Sequence, residues 1–398
     1  MSKAVTGEAA GGSKARIFTL NFVLACSGTF AFFSSFQLLL PTLPIYIVQI
    51  GGSQAEIGLL IGVFTVSAVA LRPFIGRDVD KRGRRRYMLL GAFIFFASGV
   101  LYNFVTDVPA LLLLRLFHGA GIAAYTTAAA ALVADLAPRG RMGEAMGYYG
   151  MFPNVAMAVA PALGIPLVNN FSFTVLFIAS AVTALMAILL TAPISETDDG
   201  SSEVRPPSAL FSQKALFPSF LVFCLTLTYG AIVSFLPIYA KQSDIMDNPG
   251  LFFTVYAIVL IAVRSIAGRL SDVYGRQAVI IPGLVIISVA MVLLSVSSSI
   301  TMLLLVAALY GAGFGTVHPA LMAFLVDKVG QTQRGAAMGT FTAAFDLGIG
   351  LGSILWGVVL QMSGFGLMFF VAGLMPLAGV LAFPLAGVAR ARRAEERT

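Results

Sequence analysis

The chain has 398 residues, 58% of them hydrophobic and only 11% charged, with 25 Lys and Arg against 18 Asp and Glu and a formal charge of +7. Soluble domains carry about 25% charged residues, so an ordinary globular enzyme is excluded. The basic residues stand in short segments between apolar runs, where they act as topology signals rather than as a nucleic-acid surface.

Met1 to Arg16 is polar and glycine-rich, and the apolar run after it lasts about 30 residues without a small-residue cleavage site, which marks a retained first helix rather than a signal peptide. A spanning helix needs about 20 apolar residues. Windows of about that size predict, in chain order, helices near 17–48, 54–76, 87–106, 109–134, 141–168 and 171–192. A linker rich in Ser, Asp, Glu and Pro follows at 193–213, then helices near 214–240, 249–270, 277–297, 300–327, 333–361 and 365–388. The expectation is an all-α membrane protein of twelve transmembrane helices in two six-helix bundles, 17–192 and 214–388, with cytoplasmic tails at 1–16 and 389–398. Placing both termini inside a cytoplasmic (inner) membrane puts nearly all Lys and Arg on the cytoplasmic side or at cytoplasmic helix ends, Arg115 and Lys241 excepted, as the positive-inside rule requires. Cys26 and Cys224, the only cysteines, each lie in an apolar run, which leaves no disulfide framework and no metal-ligand cluster.

The two halves repeat. Leu43-Pro44-Ile45-Tyr46 recurs as Leu236-Pro237-Ile238-Tyr239, an offset of 236 − 43 = 193. Further matches hold an offset of 192: Arg72 and Gly76 with Arg264 and Gly268, Asp80 and Gly83-Arg84 with Asp272 and Gly275-Arg276, Gly119-Ala120-Gly121 with Gly311-Ala312-Gly313, and Asp135 with Asp327. An even number of spans per half makes the repeat parallel, about a pseudo-twofold axis along the membrane normal, around a central cavity suited to alternating access. The loop after the second predicted helix, Gly76-Arg77-Asp78-Val79-Asp80-Lys81-Arg82-Gly83-Arg84-Arg85, is similar to the G-x-L-a-D-[RK]-x-G-R-[RK] signature of the major facilitator superfamily, and Gly268 to Arg276 is its second copy. From about Phe18 to Val388 the chain resembles that family, and in particular its twelve-helix drug:proton antiporter-like branch. Asp78 stands where the signature has an apolar residue, which removes one packing contact.

The resemblance implies a conformational gate of Gly76, Asp80, Gly83, Arg84 and Asp135, with Gly268, Asp272, Gly275 and Arg276 in the second copy. It would latch the cytoplasmic side of an outward-open state through Arg84 reaching Asp135; the plainer alternative is that these charges only enforce topology. Arg115 to Gly121 resembles the family's R-x-x-[QH]-G-x-G motif, whose arginine is implicated in proton coupling. The matching second-half position is Ala307, and snorkelling to the outer end is the competing role for Arg115. The segment from Gly147 through Ala160-Pro161-Ala162-Leu163-Gly164 is similar to the antiporter motif G-P-x-x-G-G, two glycines short, and close packing of small residues explains it as well.

Among the 18 carboxylates, Asp346 is the one placed near the midplane, roughly 20 Å along its predicted helix. Its repeat partner is Asn154, since 346 − 192 = 154. A carboxylate there takes up and releases a proton as it is exposed to each side in turn, unless it only bonds two helices together. His118 and His318 suit proton transfer or neutral hydrogen bonding in the core. Gln37, Tyr125 and Tyr229, with Asn21 and Asn103, are further polar candidates or interhelical glue.

The expected function is proton-coupled export of small amphipathic compounds or metabolites, Asp346 carrying the proton, Arg115 and His118 tuning it, and Asn154, Gln37, His318, Tyr125 and Tyr229 lining the cavity. A cavity otherwise poor in charge suits neutral or cationic apolar cargo. The alternatives are proton-coupled uptake of a sugar or carboxylate metabolite and a non-transporting sensor built on a transporter fold. No enzyme is expected, since no metal set, nucleophile elbow or phosphate loop occurs. The expected partners are the lipid bilayer, a small molecule and protons, with no nucleic acid, no cofactor beyond the proton gradient, and a monomer as the unit.

Overall fold

A computed structural model describes residues 17–138, 141–196, 212–329 and 334–395. The predicted tail 1–16 and most of the predicted linker lie outside them. The first half comprises α1 (Leu20–Leu39), α2 (Leu43–Gln49), α3 (Gln54–Arg82), α4 (Arg84–Leu101), α5 (Val108–Leu136), α6 (Met142–Asn170) and α7 (Phe173–Thr191). The second comprises α8 (Leu216–Gln242), α9 (Gly250–Tyr274), α10 (Arg276–Ser295), α11 (Ile300–Lys328) and α12 (Arg334–Glu395). Helices are the spanning solution here because each satisfies its own backbone away from water.

The predicted first helix is broken into α1 and α2, where Pro41 and Pro44 remove backbone donors. Conversely, the stretch Gly76 to Arg82, expected to be loop, is helical, and only Gly83 turns the chain, at φ +93. A left-handed backbone of that kind suits glycine alone among common residues, and the repeat mate Gly275 has φ +90. Helix α12 is likewise two helices meeting at Gly364, φ +83, and it stays helical to Glu395 where a tail from 389 was expected. The Ala- and Arg-rich sequence there favours helix.

Among the described residues ten helices are long and apolar enough to cross a membrane, and the pair Gly250–Arg264 and Ile266–Tyr274, bent by 44°, makes an eleventh. One of the ten, Ala337–Pro384, has 48 residues, twice the length of a span, and turns at Gly364, which completes twelve crossings. Large apolar side chains such as Phe74, Leu113, Ile178 and Leu189 point outward on the helices, as lipid contact requires.

Polar caps fix the helix starts. Ser53 and Glu56 form a capping box on α3, while Asp107, Ser172 and Ser299 cap α5, α7 and α11. Packing then repeats with the sequence. A Cβ on Gly119 would strike the Phe64 carbonyl and one on Gly311 the Tyr256 carbonyl, and the offset is 311 − 119 = 256 − 64 = 192. Gly91 meets Gly121 between α4 and α5 as Gly283 meets Gly313 between α10 and α11. Small residues let the backbones touch where lipid provides no hydrophobic drive.

Both native cysteines are inside this packing, Cys26 at 1% and Cys224 at 4% exposed. Neither is expected to react with a maleimide in the folded, membrane-embedded protein, and both should react after denaturation; intact-mass measurement before and after checks this.

Candidate functional site

The two halves meet along two helix pairs, α3 with α12 and α6 with α9. One end of the molecule, the terminal face, carries the start of α1, the turns at Gly83 and Gly275, and the chain flanking 197–211. At the opposite, far face the halves are closed. Along α3 and α12, Gly357 lies against Gln54 and Ala55, Gly58 against Ser353, Gly62 against Ile354, and Gly350 against Thr65. Along α6 and α9, Asn248 Nδ2 donates to the Ala162 carbonyl (3.0 Å), Gly250 abuts Pro161, and Thr254 Oγ1 donates to the Ala158 carbonyl (2.6 Å). Lys241 Nζ, from α8, donates to Asn169 Oδ1 (2.8 Å) at the same face. Toward the terminal face nothing among the described residues of other elements comes within 4 Å of where a Cβ would stand on Gly147, Gly150, Gly268 or Gly339. The helices there have parted, so the molecule is open to the terminal face.

Nearer the terminal face than these glycine contacts, α3 and α12 are joined by an ion pair between the halves, Arg72 with Asp346, whose side chains are 25% and 16% exposed. Asp346 was the expected carboxylate; its partner was not foreseen. Arg72 was expected to sit at a cytoplasmic helix end. In the structure it lies seven residues inside the end of the span at Val79 (79 − 72 = 7), roughly 10 Å.

A cavity of about 180 Å³, which Phe345, the chain neighbour of Asp346, helps to line, is bounded by Asn154 and Met157 from α6, Tyr256, Leu260 and Arg264 from α9, and Tyr229, Phe314, Gly315, His318 and Pro319. The expected residues Asn154, Tyr229 and His318 therefore meet. Tyr229 and Tyr256 stack with centroids 6.0 Å apart, and the His318 ring lies 6.0 Å from Phe314 and 5.1 Å from Phe345. Asn154 Nδ2 donates to the Gly150 carbonyl (2.9 Å) of its own helix. Arg264 was not expected here, and it corrects the expectation of a cavity poor in charge. The sequence did contain a signal: Arg72 and Arg264 are repeat mates lying within apolar runs, where a charge needs a reason.

Arg115 and His118 form a separate cluster. Arg115 is 1% exposed; its Nε donates to the Leu60 carbonyl (3.2 Å), its Cζ lies 4.1 Å from the Phe64 centroid, and its Nη1 is 3.3 Å from His118 Nδ1. His118 Nδ1 is also 2.9 Å from the Tyr102 hydroxyl. Carbonyl, ring face and imidazole together compensate a buried cation. No contact among the described residues joins this cluster to Asp346 or to the cavity, so the expected grouping of Asp346, Arg115 and His118 is two sites rather than one. Tyr125 is buried too, stacked on Phe32 at 3.9 Å in the first-half core. Gln37 is buried on α1, its Oε1 without a hydrogen-bond partner among the described residues.

At the terminal face Arg84 Nε lies 2.6 Å from Asp135, and in the second copy Arg276 Nε lies 2.8 Å from Asp327 while its Nη1 reaches Asp272. Each set ties helices of one half together. The side chain of Asp80 lies outside the described residues. Asp78, the departure from the signature, pairs with Arg82 (2.8 Å) and accepts from the Tyr87 hydroxyl. Gly76 and Gly268 have space around them in this open arrangement.

A twelve-span helical bundle, closed at one face and open at the other around a polar, aromatic cavity between its halves, defines a membrane transporter. The Major Facilitator Superfamily profile matches residues 25–249 and 247–398, and the chain belongs to that family. It is 24% identical over 364 residues to the staphylopine export protein of Staphylococcus aureus, covering 87% of this chain and 91% of that one. It is 24% identical over 375 residues to multidrug resistance protein 2 of Bacillus subtilis, covering 90% and 93%. Among solved structures it is similar to the nucleoside transporter NupG, at a TM-score of 0.75 and 17% identity over 92% of this chain and 98% of that one.

Proposed function

We propose that the protein exports small amphipathic compounds in exchange for protons by alternating access, with Asp346 as the proton-carrying group. The observation that carries this reading is the Arg72 to Asp346 pair, which joins the two halves on the terminal-face side of the α3 to α12 glycine seam. Protonating Asp346 removes the charge that holds Arg72, so proton occupancy and the separation of α3 from α12 are one event. With the arginine-rich terminal face in the cytoplasm, as charge asymmetry favours, the arrangement is inward-open with an ionised, paired Asp346. That is the proton-released form of an antiporter, ready for cargo. Export is supported by the staphylopine export and multidrug resistance proteins that the chain resembles.

The test is proton movement in proteoliposomes carrying a pH dye, challenged with lipophilic compounds and common metabolites. An amphipathic compound is expected to drive protons in the direction opposite to its own movement. Co-movement of protons with a metabolite would replace export by uptake, and no proton movement with any transported compound would remove Asp346 from the coupling role.

A further inference from the structure

The two interfaces between the halves are related by the repeat, and they differ in one residue of charge. Arg72 corresponds to Arg264 (264 − 72 = 192) and Asp346 to Asn154 (346 − 154 = 192). Across α3 and α12 the arginine meets a carboxylate. Across α9 and α6 the carboxylate's place is taken by Asn154, a neutral amide already donating to Gly150. Among the described residues Arg264 has no hydrogen bond and no ion pair, and it is exposed on the cavity wall beside His318. A guanidinium inside a span is ordinarily paired, and its twin is. The missing counter-charge can arrive with a ligand, for which guanidinium offers a flat, two-pronged donor set that matches a carboxylate.

We infer that Arg264 recognises an acidic group on the transported compound, so that the cargo is a small amphipathic anion whose charge sits on Arg264 and whose apolar body lies against Tyr229, Tyr256 and Phe314. These rings are within reach of one another and of Arg264, since all line the same space, and their faces accept an apolar or aromatic body. The cavity, about 180 Å³ in this open state, has room for a compact apolar body. The inference rests on the export reading for the direction of movement only; anion recognition by Arg264 stands or falls on binding.

The experiment measures equilibrium binding to the purified full chain, without a proton gradient, of three ligands on one skeleton: 1-naphthoate, 1-naphthamide and 1-naphthylmethylammonium. Wild type is expected to prefer the carboxylate over the amide by about tenfold or more and to bind the ammonium weakest. Arg264→Gln should lose that preference, and Arg264→Lys should keep part of it. If wild type shows no carboxylate preference, or if Arg264→Gln retains it, the inference is overturned. Should Arg264→Gln fail to fold, the wild-type preference and its partial survival in Arg264→Lys decide the matter. Arg264-dependent anion binding with no proton-driven export sinks the export reading and leaves the inference standing, whereas export of cations without any anion preference does the reverse.

Discussion

Asp346→Asn is expected to lower uphill transport by at least about 100-fold, equivalent to about 2.7 kcal/mol, while downhill exchange of cargo stays within about tenfold of wild type. The variant should fold, because it turns the α3 to α12 interface into a copy of the α9 to α6 interface, where an arginine already faces an asparagine-bearing helix without a carboxylate. What it removes is the group proposed to carry the proton. Partial exposure of both side chains, 25% and 16%, places the pair between a surface bridge, worth up to about 1 kcal/mol, and a buried one, whose breakage costs about 3–5 kcal/mol. That range is large enough to bias a two-state equilibrium and small enough for one proton to reverse it. Arg72→Gln should act differently, leaving the carboxylate without its cation and favouring its neutral form. Counterflow and gradient-driven uptake into inverted vesicles separate these outcomes; an Asp346→Asn variant that accumulates cargo against its gradient as wild type does would end the coupling role.

Much of the fold was legible because lipid imposes strong rules: apolar runs long enough to span, basic segments between them, and a 192-residue repeat that reappears in the glycine contacts of both halves. Less legible were the local exceptions. The break between α1 and α2 follows from two prolines three residues apart, and Gly76 to Arg82, polar enough to read as a loop, continues α3 until the positive φ of Gly83 turns the chain. At the site, Asp346, Asn154, Tyr229 and His318 could be found as polar side chains in apolar runs. Arg72 could not be joined to Asp346, since they are 274 positions apart and nothing in periodicity says that α3 touches α12. For the same reason Tyr125 and Tyr229 look alike in sequence yet differ in place. Tyr125 packs into Gly91 of α4 and faces the first-half core, whereas Tyr229 faces Met157 across the cavity.

Gly58→Leu is expected to drive the molecule away from the state described here, toward one open at the far face. A Cβ at Gly58 would overlap the Ser353 carbonyl oxygen and stand 3.0 Å from its carbon and 3.1 Å from Ile354 Cα, so backbone rather than a movable side chain blocks it. The whole far-face seam is built this way: Gly350 admits Thr65, with 2.8 Å between a Cβ there and that of Thr65, and Gly357 admits Gln54 at 2.9 Å. Overpacking of a tight core costs about 1–3 kcal/mol, which by itself moves a two-state equilibrium about 5- to 150-fold, and the strain is absent once α3 and α12 separate at this end. Spin-label pairs at repeat-related exposed sites report the shift: Phe104 with Val296 at the far face, and Arg82 with Tyr274 at the terminal face. In Gly58→Leu the first pair should lengthen and the second shorten relative to wild type, with loss of transport turnover rather than of expression. Gly339→Leu is the control, since nothing among the described residues of other elements lies within 4 Å of a Cβ there in this state; it should leave this state populated and hinder closure of the terminal face instead. Unchanged distances in Gly58→Leu, with the protein folded, would mean that the seam between α3 and α12 does not set which face is open.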